Sequence, residues 1–197
     1  MDKLAQTDVP VHDLIAHRWS PRAFDPDAVL PDRALRALLE AARWAASYGN
    51  TQPARYLVGR RPDASFTRLL GTLSENNQSW AHRASALLVA VAVTRNAKGE
   101  VPFAEYGVGL ATQNLVLQAV AEGLAAHQMA GFDPEAVRRE FALPDEARPV
   151  VAIAVGTPTG AEVLGDPRRI ERERAARERL PLVELAFTDR WGTPAVP

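Results

Sequence analysis

The chain contains no cysteine. That absence excludes disulfides, thiol catalysis, zinc ribbons and cysteine-ligated iron–sulfur clusters, and it suits a reducing compartment. An excess of charge of one sign is also missing. The net charge is −1 over 197 residues, without the basic surplus of a nucleic-acid or membrane-surface binder. No Gly-x-Ser-x-Gly elbow and no Walker loop occur, which sets aside the serine-hydrolase and P-loop chemistries that those motifs support. The four histidines (His12, His17, His82, His127) lack metal-ligand spacing, so no metal is expected. No pair of carboxylates is singled out for glycosidase-type acid catalysis. The first residues, Met1-Asp2-Lys3-Leu4-Ala5-Gln6, hold no long apolar run. A secretory signal is therefore not expected, and a cytoplasmic protein is.

What is present reads as one folded domain over 1–197. Hydrophobic content of 47% and charged content of 24% are ordinary for a soluble domain of this length. The first informative stretch is His17-Arg18-Trp19-Ser20-Pro21-Arg22-Ala23-Phe24. Pro21 biases Ser20 toward an extended conformation, so Arg18, Ser20 and Arg22 can face one side as alternate residues. Two guanidinium forks and a hydroxyl suit a phosphate. The competing reading is a solvated turn between helices.

Helical spacing then runs from Pro31-Asp32 to Trp44. It breaks in Ser47-Tyr48-Gly49-Asn50-Thr51-Gln52-Pro53, a loop rich in short polar side chains. Amides present donors and acceptors together, so such a loop can bind a ligand with mixed polar edges. The alternative is local turn stabilisation. A strand is expected over 55–59, a helix over 64–73, and a polar irregular stretch over 74–81 that contains Asn77. Leu87 to Val93 is wholly apolar and reads as a buried central strand.

Phe103 to Gly123 is the longest helical pattern, apolar on several sides, and is expected to be buried. Its Gly107, Gly109 and Ala111 would let another helix, from this chain or a partner, approach closely. Gly107-Val108-Gly109 lacks the third glycine and the preceding strand of a dinucleotide fingerprint. Residues 124–129 read as a short strand or extended turn. Asp133-Pro134 is a helix start, and 150–156 is a second buried strand. Over 166–179, Glu173 with Arg177 and Arg174 with Glu178 stand four apart, as in an exposed salt-bridged helix. The last 18 residues carry Leu182, Leu185, Phe187 and Trp191, which suits a tail that wraps its own domain or a partner. A phosphate site, an amide-rich loop and a buried mixed fold fit a cofactor that carries its own reactivity.

These motifs, in this order, resemble the FMN-dependent nitroreductase superfamily over nearly the full chain. Arg18-Trp19-Ser20-Pro21-Arg22 is similar to its N-terminal phosphate motif, and Ser47 to Pro53 to its flavin loop, contributed across the dimer. Glu105 to Leu124 resembles its central helix. Met129-Ala130-Gly131-Phe132 resembles the segment whose backbone faces flavin N5, Ile153 to Gly156 the late strand, and Arg177 to Pro181 the C-terminal basic pair.

The resemblance implies an α+β fold, with a central mixed β-sheet flanked by helices in a domain-swapped homodimer. Residues 157–197 would form a C-terminal extension that wraps the partner. It implies FMN held by Arg18, Trp19, Ser20, Arg22, Ser47, Asn50, Gln52, Asn77, Met129, Ala130, Gly131, Arg177 and Arg179. No catalytic side chain is needed. It implies ping-pong transfer from NADH or NADPH to nitroaromatic, quinone or similar electron-poor acceptors, with no nucleic-acid or membrane partner. Reductive dehalogenation, flavin-consuming chemistry and a non-catalytic FMN-binding redox module are the alternatives. The sequence departs from the family at Glu105, at Ala54-Arg55 after the Gln-Pro pair, and at Trp19. The connection from Val93 to Phe103 is short, so a pocket with little lid is expected, lined by Arg55 or Trp80.

Overall fold

The computed structural model describes residues 3–196; Met1, Asp2 and Pro197 of the expected 1–197 domain lie outside the described residues. Its centre is a four-stranded sheet in the order β1-β2-β6-β5, formed by β1 (Ala54–Arg60), β2 (Ala86–Val93), β6 (Ala147–Gly156) and β5 (Ala125–Met129). All three pairings are antiparallel, which corrects the mixed sheet expected within this chain. Strands buried on both faces are apolar in either orientation, so the pattern left the sense of pairing open.

Strand β2 shows why Leu87 to Val93 is apolar throughout. Leu87, Val89 and Val91 join one core with Phe66, Leu69, Trp80 and Val137. Ala86, Leu88, Ala90 and Ala92 join a second core with Leu38, Val108 and Leu115. Alternate side chains point to opposite faces, and both faces are covered. The first face carries α3 (Ala64–Thr72), α4 (Glu75–Ala81) and α6 (Pro134–Glu140). The second carries α2 (Asp32–Arg43) and α5 (Ala104–Ala121). Pro149 sits in β6 beside a register shift at Ala90/Val91. It lies beyond the stretch of β6 paired with β5, so its missing N–H breaks no ladder on that side.

Helix α5 forms where its pattern predicts. Its close neighbour is α2 of the same chain, joined to it by Asn114 Nδ2 donating to the Ala41 carbonyl at 3.2 Å. A Cβ on Gly107 would stand 2.8 Å from Pro53 Cγ, whereas Gly109 has nothing within 4 Å. The first glycine thus seats the 47–53 loop, and the second faces outward.

Two expectations are corrected and one is filled in. Residues 75–81, read as irregular, are helix α4. Its N-cap Ser74 donates its backbone N–H to the Gly131 carbonyl, so a tertiary contact fixes a start that polar composition concealed. The short 93–103 connection is a hairpin, β3 (Arg95–Asn96) with β4 (Gly99–Glu100), turned by Lys98 N–H donating to Asn96 Oδ1 at 2.8 Å. The charged C-terminal stretch is helical only as α7 (Pro167–Arg174). Arg177 lies beyond it and Glu173 is buried, so the expected exposed pairs do not form.

Candidate functional site: an arginine-lined anion pocket

The chain leaves α1 (Asp13–His17) at Arg18, whose backbone is extended with φ −64° and ψ 119°. Residues 18–24 then run against the segment that follows β6. Asp25 N–H donates to the Thr157 carbonyl and Thr159 N–H to the Ala23 carbonyl, and Phe24 bridges to Pro158. From below, His127 of β5 donates its Nδ1–H to the Pro21 carbonyl at 2.8 Å. These bonds set the N-terminal segment beside the chain that leads from β6 toward α7.

The result is a pocket of about 200 Å³ whose cationic lining is Lys3, Arg18, Arg22, Arg172, Arg177 and Arg179. Trp19, Ser20 and Glu173 complete it. Arg18 donates to Ser20 Oγ at 3.2 Å, as their expected common side requires. Lys3 Nζ sits 4.6 Å from the Trp19 ring centre. Arg177 donates to the carbonyls of Lys3 and Ala16, both at 2.7 Å, which locks the C-terminal segment onto the N-terminal one.

The electrostatics record this crowding. Burial, then the Arg177 and Arg179 charges, hold Arg18 below the ordinary guanidinium value. Arg22 is lowered by burial and by Arg172, with Glu173 opposing. Arg177 is lowered by burial and by Arg179. Burial also lowers Lys3, against the pull of Glu173. Early and late cations therefore repel one another across one cleft, and an anion placed among them would relieve that repulsion.

The other expected site residues fall into two groups. Asn77, Met129, Ala130 and Gly131 meet at the end of β5, where Asn77 Nδ2 donates to the Gly131 carbonyl at 2.9 Å. A Cβ on Gly131 would lie 2.8 Å from both Asn77 Nδ2 and Ser74 Oγ, so glycine is needed for this approach. The Met129 side chain is in the core, which leaves only its backbone for a ligand. Trp80, expected as a pocket liner, is also core, packed on His127 at 4.6 Å between ring centres.

Ser47, Asn50 and Gln52 form the second group. Ser47 Oγ accepts from Gln52 N–H at 3.0 Å, and Gly49, Asn50 and Gln52 all have positive φ. Gln52 in this region is uncommon and marks a loop held in shape by its surroundings. Ser47 and Gln52 line a separate cavity of about 260 Å³, with Arg55 at its side. This loop enters β1 at one sheet edge, whereas His127 and the arginine pocket lie at the other. From the pairings of Ala54 and His127, strand spacing and rise place them roughly 20–25 Å apart.

The sequence reading missed Lys3, Arg172 and Glu173. Lys3 is thirteen or more residues from any motif, and Arg172 is one of several arginines in its stretch. Only the fold selects them. Among the described residues no cluster of metal-ligating side chains occurs, and no helix is long and apolar enough to cross a membrane.

A family model described as the nitroreductase family matches residues 15–74 and 60–157. An uncharacterised 15.4 kDa protein of Mycolicibacterium smegmatis is 40% identical over 148 residues, covering 71% of this chain and 99% of the relative. A Streptomyces coelicolor protein, assigned by inference as an NADH dehydrogenase/NAD(P)H nitroreductase, is 31% identical over 172 residues, 76% of this chain and 84% of its own. Among solved structures, an oxidoreductase containing FMN superposes with a TM-score of 0.89 at 32% identity, covering 95% of this chain and 96% of its own. The chain belongs to the nitroreductase family, a family of oxidoreductases, and has its α+β fold.

Proposed function

We propose that the protein is a homodimeric FMN-dependent oxidoreductase that takes electrons from NADH or NADPH and passes them, by a ping-pong mechanism, to nitroaromatic, quinone or similar electron-poor acceptors. The observation that carries this reading is the convergence of N-terminal and C-terminal arginines on one pocket. Guanidinium forks match the terminal phosphate of a mononucleotide, and charge-assisted bonds of this kind contribute about 1.5–3 kcal/mol each, without simple additivity. The likeness to FMN-containing oxidoreductases points the same way.

Bound there, FMN would supply a hydride acceptor and donor that needs no nucleophilic side chain. The chain's own residues would position it. Arg18, Ser20, Arg22, Arg177 and Arg179, with Trp19 beside them, would hold the phosphate. Asn77 and the backbone of Met129, Ala130 and Gly131 would meet the polar edge of the ring. Ser47, Asn50 and Gln52 belong to the loop that enters β1, at the sheet edge opposite β5 and the arginine pocket. They would serve the site of a second copy.

A second copy would also cover the aromatics near that loop. Trp44, Tyr48, Phe103 and Tyr106 are 73%, 59%, 68% and 68% exposed, and the Tyr48 and Phe103 rings stand 5.5 Å apart; exposed aromatics of this kind suit burial against a partner. Within the proposed extension over 157–197, residues up to α7 pack on their own chain. Leu180, Leu185 and Trp191 are 73%, 74% and 90% exposed, so the part beyond 180 is the part available to wrap a partner.

The test is direct. Purified protein should be yellow, carry one FMN per chain, bleach anaerobically with NADH or NADPH, and recover its colour with a quinone. Colourless protein that takes up no added FMN would overturn the reading.

A further inference from the structure

Glu173 is an acid inside a pocket built for an anion. It is 2% exposed and shares the lining with six cationic side chains. A carboxylate there weakens the attraction for a phosphate, so its place needs a compensating role. Its Oε1 accepts from Arg22 N–H at 2.7 Å and from Ala23 N–H at 3.0 Å. Without it those donors would be orphaned at a point where the chain is part-buried or buried, a costly state. Its backbone carbonyl accepts from Lys3 Nζ at 2.8 Å. Its Oε2 is buried without a hydrogen-bond partner, 4.0 Å from an Arg22 terminal nitrogen.

We infer that Glu173 is a positioning residue for the anion pocket. Its carboxyl fixes the backbone at Arg22 and Ala23, and so sets the N-terminal arginines against the C-terminal ones. The inference rests on the FMN reading above. Glu173 stands in the last turn of α7, Arg172 precedes it, and Arg177 follows within four residues. One side chain therefore registers both halves of the pocket. The bond is made by an acceptor oxygen, and the negative charge is incidental to it. A glutamine can make the same two bonds, whereas alanine cannot, and aspartate withdraws the acceptor by one methylene.

The test compares dissociation constants for FMN and for riboflavin, which lacks the phosphate, by flavin fluorescence on the full chain. The ratio of the two isolates the pocket from the ring site. Glu173→Ala should reduce the preference for FMN about tenfold or more, with riboflavin binding little changed. Glu173→Gln should keep the preference or raise it, because it keeps the two bonds and removes the opposing charge. Should the alanine variant not fold, Glu173→Asp gives the same reading, again with a loss of preference. An unchanged preference in the alanine or aspartate variant, or a glutamine variant as impaired as alanine, would overturn the inference. Wild-type protein that binds FMN no better than riboflavin would overturn the phosphate assignment, and this inference with it.

Discussion

His127 Nδ1 and the Pro21 carbonyl lie 2.8 Å apart across 106 residues of sequence. This bond joins edge strand β5 to the segment that carries Arg18 and Arg22. A carbonyl only accepts, so Nδ1 carries the proton. Burial, opposed by the bond to Pro21 and aided by the Arg22 and Arg18 charges, lowers the His127 pKa to about 4.

The unfolded chain therefore binds a proton on this ring more readily than the folded one does. Stability from this group is full above about pH 6.5 and falls as pH drops toward 4, with a loss of about 2 kcal/mol already at pH 5. Urea unfolding of wild type and His127→Gln at pH 7 and pH 5 checks this. The variant should show a smaller drop between the two pH values. Equal drops would contradict it.

Among the described residues Arg179 donates only to the carbonyl of the adjacent Glu178 and ties no other part of the fold. Arg179→Ala should leave apoprotein melting nearly unchanged. It should weaken FMN binding by about tenfold or more, as expected for a lost charged hydrogen bond. Flavin content after dialysis and the melting temperature, measured together, separate the two effects. Unchanged flavin content would remove Arg179 from the site.

Two helix glycines should respond in opposite ways to alanine. Gly107 has Pro53 Cγ 2.8 Å from where a Cβ would stand, whereas Gly71 of α3 has nothing within 4 Å. Gly107→Ala should cost about 1–3 kcal/mol by overpacking and shift the 47–53 loop. Gly71→Ala should be neutral or add up to about 1 kcal/mol. Thermal melts of both variants test the pair, and equal responses would refute the packing argument.

Tyr106 and Phe103 are exposed, and the Phe103 ring lies 5.5 Å from that of Tyr48. Tyr106→Glu should weaken self-association by tenfold or more, about 1.4 kcal/mol. Sedimentation at low micromolar concentration reads this as a shift from dimer toward monomer. A wild type that is monomeric at all concentrations would contradict the two-chain site.

The sequence by itself determined much of this protein. Pro21 and the alternation of Arg18, Ser20 and Arg22 announced an extended segment with those side chains on one cleft, because proline geometry is local. The apolar run of β2 announced a strand buried on both faces, because burial is written in composition. Asp133-Pro134 announced the start of α6, because helix caps are local too. Only the tertiary structure decided which distant groups meet. It took Glu173 from an expected exposed pair with Arg177 and buried it on the Arg22 and Ala23 amides. It recruited Lys3 and Arg172, sent Trp80 to the core, and made every pairing in the sheet antiparallel. It also set the Ser47–Gln52 loop and the arginine pocket at opposite sheet edges. A pattern read along one chain reports each residue's neighbours in sequence. The charge of this pocket is the sum of side chains up to 176 positions apart, and that sum exists only once the chain has closed.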